Sequence, residues 1–299
     1  MRTEPDLMKK GWKKHTGILF VLPWLLGMTF FQLWPIVHSI IISLFDYSIF
    51  REKEFIGFGN FAELLFDDDA FWQSIKVTLK FVFYTVPSRI IFALLIATIL
   101  NRSTKGIGIY RVIYYAPSLI GNSVAIAIIW KAIFDKNGIV NLLLSNIIHN
   151  KPLWLGNPKL ALPTISLLLI WQFGSSMVIF LAGLKQIPKE QYEVASLDGA
   201  GVLTKFFKIT IPHLSPLIFF NVLMQMITIF QYFTGPFVIY NGQAGPADSC
   251  LLLGIHIYRS AFNMFRLGYG SALSIMLGLM VGLVTIFIFR VEKKTVFYG

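Results

Sequence analysis

Long apolar runs separated by short charged segments dominate the chain. Thr16 to Phe45, Val112 to Trp130, Leu160 to Leu184, Ile209 to Ala247 and Leu267 to Phe289 contain no Asp, Glu, Lys or Arg, and Phe81 to Asn101 contains only Arg89. A helix rises about 1.5 Å per residue, so each run can cross a hydrocarbon layer of roughly 30 Å. One such run could be a buried helix in a soluble core, but six in one chain need lipid as their solvent. The pattern predicts an all-α membrane protein with six transmembrane helices. The first run follows Lys9, Lys10, Lys13 and Lys14, as a secretory signal would. It continues through Pro23, Trp34 and Pro35 without a small-residue cleavage site, which marks a retained helix.

Composition agrees. Of 299 residues, 56% are hydrophobic and only 14% charged, and the mean hydropathy is +0.67. The net charge of +11 has an orientation in it. With the N-terminus inside, the inner segments carry Arg2, Lys9, Lys10, Lys13, Lys14, Arg102, Lys105, Arg111, Lys185, Lys189, Lys205, Lys208, Arg290, Lys293 and Lys294. The outer ones carry only Arg51, Lys53, Lys76, Lys131, Lys136, Lys151, Lys159, Arg259 and Arg266, with most of the acids. Basic residues collect on the cytoplasmic side of short loops, so both termini are expected there. This bias and anionic lipid account for the charge without nucleic acid. Asp67 to Asp69 read as a solvated loop.

The chemistry that is missing narrows the function. Cys250 is the single cysteine, and the five histidines show neither HxxxH nor HExxH spacing, so no metal centre is expected. There is no GxxxxGK[ST] phosphate loop, and the six runs hold no carboxylate of the kind that ion-coupled carriers place at membrane depth. An ion-coupled secondary carrier stays as the alternative. If the chain transports, another chain is expected to supply the energy.

The most informative segment is the loop from Lys185 to Pro216. Pro188 suits a first helical turn, Glu190 and Glu193 its positive end, and Asp198-Gly199 a stop. A second short helix is expected from about Val202 to Ile209, ended by Pro212. Ala195, Ser196, Gly199 and Ala200 at the corner would let a partner approach closely, while Phe206 and Phe207 tie the knob to the bundle. An interfacial amphipathic hairpin is the alternative reading.

Glu193-Val194-Ala195, Asp198-Gly199-Ala200, Ile209, Ile211 and Pro212 resemble the EAA loop of ABC importer permeases, with Val194 and Ile211 as departures from the usual residues. Leu22-Pro23-Trp24, Leu33-Trp34-Pro35, Ile56 to Phe61, Phe71-Trp72, Tyr114 to Pro117 and Gly242 to Pro246 are similar, in order, to the maltose and glycerol-phosphate branch. The resemblance implies a type I ABC importer permease fold. It implies residues 71–290 as the permease domain with its loop at 185–216, 1–70 as an addition carrying the first helix, and 291–299 as a tail. It also implies a second permease subunit, two ATP-binding subunits that hold ATP and magnesium, and an extracellular solute-binding protein that delivers a sugar. No cofactor is expected on this chain.

For the solute path, Asn221, Gln225, Thr228 and Tyr232 fall on one helical face, bordered by Gln231. Trp171, Gln172 and Ser175 on the fourth span and Asn122 on the third are further candidates. Amides and hydroxyls there could bind sugar hydroxyls, or simply join helix to helix. Arg89 is expected to face a wet cavity or a partner, and an acidic sugar is one reason for its charge.

Overall fold

The computed structural model describes residues 20–50, 52–101, 106–121, 123–145 and 150–296. Among the described residues, four helices are long and apolar enough to cross a membrane: α1 (Phe20–Ile42), α3 (Asp69–Leu100), the helix over Val202–Ile239, and α14 (Leu267–Thr295). Two bent pairs supply the rest. α4 (Ile107–Ile120) and α5 (Val124–Ile133) meet at 110°, and α7 (Pro158–Trp171) and α8 (Gly174–Leu184) at 46°. With each pair counted as one crossing the chain spans six times, the all-α membrane architecture expected.

The chain forms two compact units. The smaller, residues 1–66 with 260–275, contains α1, a two-residue antiparallel pair β1 (Phe45–Asp46) and β2 (Glu54–Phe55), and α2 (Gly59–Phe66). Asn60 organises it. Its buried amide donates to the carbonyls of Ser43 (2.8 Å) and Phe45 (2.9 Å), which the turn leaves without helical partners. Arg266 closes the unit with a two-pronged ion pair to Glu63, at 2.7 and 2.6 Å.

The larger unit, residues 67–259 with 276–299, is built around α3. That helix packs most extensively against α7, α8 and α11 (Ile211–Phe230). Its buried side includes Val82, Val86, Ile90, Ala93 and Ala97, a stripe spaced by three and four residues. Asp68 caps its start by accepting from the Ala70 N–H at 2.8 Å. Further elements are α6 (Ile139–Leu144), α9 (Lys189–Leu197), α10 (Val202–Lys205), α12 (Thr234–Ile239) and α13 (Leu253–Tyr258).

Glycine decides how closely α8 is approached. A Cβ on Gly174 would sit 2.7 Å from Ser118 Oγ, the Tyr114 carbonyl and Tyr115 Cα on α4, and one on Gly183 would meet Leu214 and Leu217 of α11. Pro212 does not end the helix that begins at Val202. Phe206–Thr210 form a π turn, in which the Ile211 N–H reaches back to the Phe206 carbonyl, and α11 follows without interruption. The wider turn relieves the clash of the proline ring with the preceding turn, so Pro212 is carried inside the continuous helix.

The approach at Gly174 is to backbone, which cannot rotate aside. Gly174→Val is therefore expected to destabilise the larger unit by about 1 to 3 kcal/mol, the usual cost of overpacking. A melting curve of the purified protein in detergent checks this, and Gly27→Ala, with no atom near its Cβ, serves as the control.

Candidate functional site

Two features stand out in the larger unit, a projecting knob and a polar cluster among the spans. The knob begins at Pro188, the N-cap of α9, and turns at Gly199, whose φ of +74° is the left-handed conformation that a glycine adopts freely. The Gly199 N–H donates to the Ser196 carbonyl (3.1 Å) and the Ala200 N–H to that of Ala195 (2.8 Å). This pair of bonds is a Schellman stop, which satisfies carbonyls at the helix end. Gly201 then takes an extended conformation and α10 starts. Lys205 Nζ donates to Ser196 Oγ (2.6 Å), and Tyr192 and Thr210 share a hydroxyl bond (2.9 Å), so the two arms are pinned together.

Its outer surface presents apolar side chains among charged ones. Leu197 is 88% exposed and Val202 83%, with Val194, Leu203 and Phe207 also exposed. Phe206 packs against the core, so one phenylalanine of the pair ties the knob down and the other is presented outward. Glu193, Asp198 and Gly199 are exposed, Ala195, Ala200, Ile209 and Pro212 half-buried.

The polar cluster surrounds Arg89 on α3. Its Nη1 donates to Gln225 Oε1 on α11 (2.8 Å) and its Nη2 to the main-chain carbonyl of Gln172 (2.5 Å), while its Nε is buried without a partner among the described residues. Gln172 is the C-cap residue of α7, at the bend. Ser118 Oγ donates to the same carbonyl (3.1 Å) and accepts from the Ser175 N–H (3.2 Å). The Gln172 side chain donates to the Gly121 carbonyl (2.9 Å), at the break between α4 and α5, and Gln225 Nε2 donates to Ser176 Oγ (3.2 Å). A cation in lipid costs about 2.5 to 3.5 kcal/mol on insertion scales. Arg89 offsets part of this by lying at the negative end of α7.

The other path candidates divide. Trp171, Ser175, Thr228 and Gln231 are exposed, with the Trp171 ring 6.0 Å from that of Trp130. Asn221 is buried and donates to the Leu217 carbonyl, and Tyr232 is buried against Phe81. Asn122 lies outside the described residues. The expected single face is not formed: α11 ends at Phe230, so Tyr232 lies beyond it, and along the helix Asn221 is buried, Gln225 half-buried and Thr228 exposed.

Sequence reasoning missed the pair His256 and Asp68. Asp68 is not merely solvated: besides capping α3, its Oδ2 lies 2.9 Å from His256 Nε2 on α13. The residues are 188 apart in sequence, and no local spacing announces the pair.

Broken apolar spans, an interior cation at their bends and a projecting helical knob define a membrane permease subunit. The pattern of the family described as binding-protein-dependent transport system inner membrane component matches residues 70–295. The probable ABC transporter permease protein YesP of Bacillus subtilis is 46% identical over 98% of this chain and 96% of its own length. The lactose transport system permease protein LacF of Rhizobium radiobacter is 33% identical over 98% and 99%. A crystal structure of a bacterial alginate ABC transporter, in complex with an alginate pentasaccharide-bound periplasmic protein, superposes with a TM-score of 0.81 at 21% identity, covering 97% of this chain and 96% of that one. The chain belongs to the family of binding-protein-dependent transport inner membrane components and is a membrane-embedded ABC importer permease subunit.

The His256 pair sets a pH dependence. Burial pulls the imidazole below its usual 6.5, with Arg259 adding to this and the Asp68 carboxylate opposing. Folding therefore favours neutral His256, and the unfolded chain binds the extra proton. Stability is full above the unfolded value and is lost as pH falls below it. Melting temperature is expected to drop between about pH 7.5 and about pH 5.5, and His256→Gln should flatten that profile.

Proposed function

We propose that this chain is one membrane half of an ATP-driven importer that carries a saccharide inward by alternating access. The observation that carries the reading is the knob. Its Schellman turn holds an exposed apolar surface at the head of a helix that continues through a π turn into the polar cluster. An apolar surface on a rigid projection suits a groove on a partner. In this reading Glu193, Val194, Ala195, Asp198, Gly199, Ala200, Ile209 and Pro212 form the contact to an ATP-binding subunit, with ATP and magnesium held there and no cofactor on this chain. Both termini face the cytoplasm of a bacterial cell, and residues 71–290 act as the permease domain with 1–70 as the addition and 291–299 as the tail. The pair is completed by a second permease, two ATPases and an extracellular binding protein.

A saccharide is favoured by the names of the relatives, which include lactose, trehalose/maltose and arabinooligosaccharide transport permeases. Exposed Trp171, Ser175, Thr228 and Gln231 supply the aromatic face and the hydroxyl and amide groups that sugars bind.

Affinity-tagged protein from native membranes is expected to bring down an ATPase whose hydrolysis rises with solute-loaded binding protein. If no ATPase accompanies it, the reading fails. At φ +74° a β-branched residue is strained by about 1 to 2 kcal/mol, which corresponds to roughly tenfold weaker docking, so Gly199→Val should insert normally but retain little ATPase. Losing one hydrogen bond costs about 0.5 to 1.5 kcal/mol, so Gln231→Ala should lower uptake about two- to tenfold in an assembled complex. Normal uptake would remove it from the path.

Orientation has its own test. Phe58→Cys and Gln243→Cys, both exposed, should react with an impermeant maleimide on intact cells, and Lys189→Cys only after permeabilisation. Native Cys250 can remain, because it is buried and burial pushes its thiol up to about 11, which leaves little reactive thiolate.

A further inference from the structure

Arg89 does more than fill an interior position. Through Gln172 it touches both broken spans, since the Gln172 carbonyl is held by Arg89 and Ser118 while the Gln172 amide holds the Gly121 carbonyl. Through Gln225 it touches α11, the continuation of the helix that starts at Val202 on the knob. Gln225 in turn reaches Ser176, four residues beyond the bend. One guanidinium therefore joins α3, the bends of the third and fourth spans, and the arm that carries the knob.

The chemistry of the position needs arginine. A planar guanidinium donates in two fixed, diverging directions, whereas an ammonium is a single point of donation on a flexible stem. Ser118 already donates to the Gln172 carbonyl, so capping the bend alone does not call for a cation. Linking that carbonyl to an amide on a different helix does.

We propose that Arg89 is a positioning residue for solute transfer, whose fork fixes both bends against α11 so that displacement of the knob reaches them through Gln225 and Arg89. This rests on the reading of the knob as the ATPase contact. The bends border exposed Trp171 and Ser175, so moving them moves the surface offered to the solute.

The test uses hydrogen exchange of the main-chain amides of residues 173–177 in the assembled complex in lipid nanodiscs, with and without ATP plus vanadate, and needs no solute. In the wild type, nucleotide should change exchange at the bend. Arg89→Lys keeps the charge and loses the fork. Without nucleotide it should exchange about tenfold faster at 173–177, with residues 162–169 of α7 unaltered, and the nucleotide response should vanish. Gln225→Ala removes both links from α11, the one to Arg89 and the one to Ser176 Oγ, and leaves the donors to the Gln172 carbonyl in place. It should leave nucleotide-free exchange at 173–177 within about twofold of wild type and still abolish the nucleotide response, a split that general loosening would not produce. If Arg89→Lys matches the wild type, charge rather than the fork is what the position supplies, as for attracting an anionic solute, and the proposal is overturned. A full nucleotide response in Gln225→Ala overturns it as well. Should Arg89→Lys fail to assemble, Gln225→Ala decides alone. If no ATPase accompanies the wild type, the knob reading fails, and the nucleotide-free arm on the isolated chain still reports whether the fork holds the bend.

Discussion

A helix broken inside lipid frees carbonyls that no water can satisfy, and the Gln172 carbonyl is held there by Ser118 and by a bond from Arg89 that also ties it to α11. Much of the larger unit is arranged to make the bond possible. α3, packed at the centre against α7, α8 and α11, brings a cation to the end of α7. Gly174 lets α4 come close enough for Ser118 to share the load. Glutamine at 225 matches the second prong with a neutral acceptor, so both Nη groups of the ion are engaged without a countercharge.

The knob follows a different logic, that of apolar side chains held outward by a self-contained frame. Its stability is internal: the Schellman bonds at Ala195 and Ser196, the Lys205 bond and the Tyr192–Thr210 bond hold its shape without help from a partner. Its apolar residues are thereby free to point outward. A preformed surface of this kind loses little conformational freedom on docking. It is also rigidly continuous with the span that carries Gln225.

How much of this was legible in the sequence depends on the range of the interaction. The six crossings could be read because lipid imposes composition on every residue of a run, and the turn at Asp198-Gly199 because a left-handed residue is a local demand. Pro212 misled, since a local rule makes proline a stop and a π turn one step earlier lifts it. The bend at Gln172 has no proline at the break itself, and the acceptor that receives Arg89 is main chain, which no residue type announces. The pairing of Asp68 with His256 bridges 188 positions and is settled only by packing. The polar face on α11 was visible as a spacing, but whether each member meets protein or open surface depends on the neighbouring helices.

The π turn at Phe206–Thr210 has a bearing on how such chains diverge. One turn closed by a bond to the fifth residue back, rather than the fourth, is equivalent to a single residue inserted into an α-helix. Deleting one residue there would restore the ordinary winding and swing the knob by about 100° around the helix axis while drawing it in by about 1.5 Å. The knob would then present a different side in the same direction although every residue of its surface was retained. Length, more than identity, is the property that this stretch of chain has to conserve.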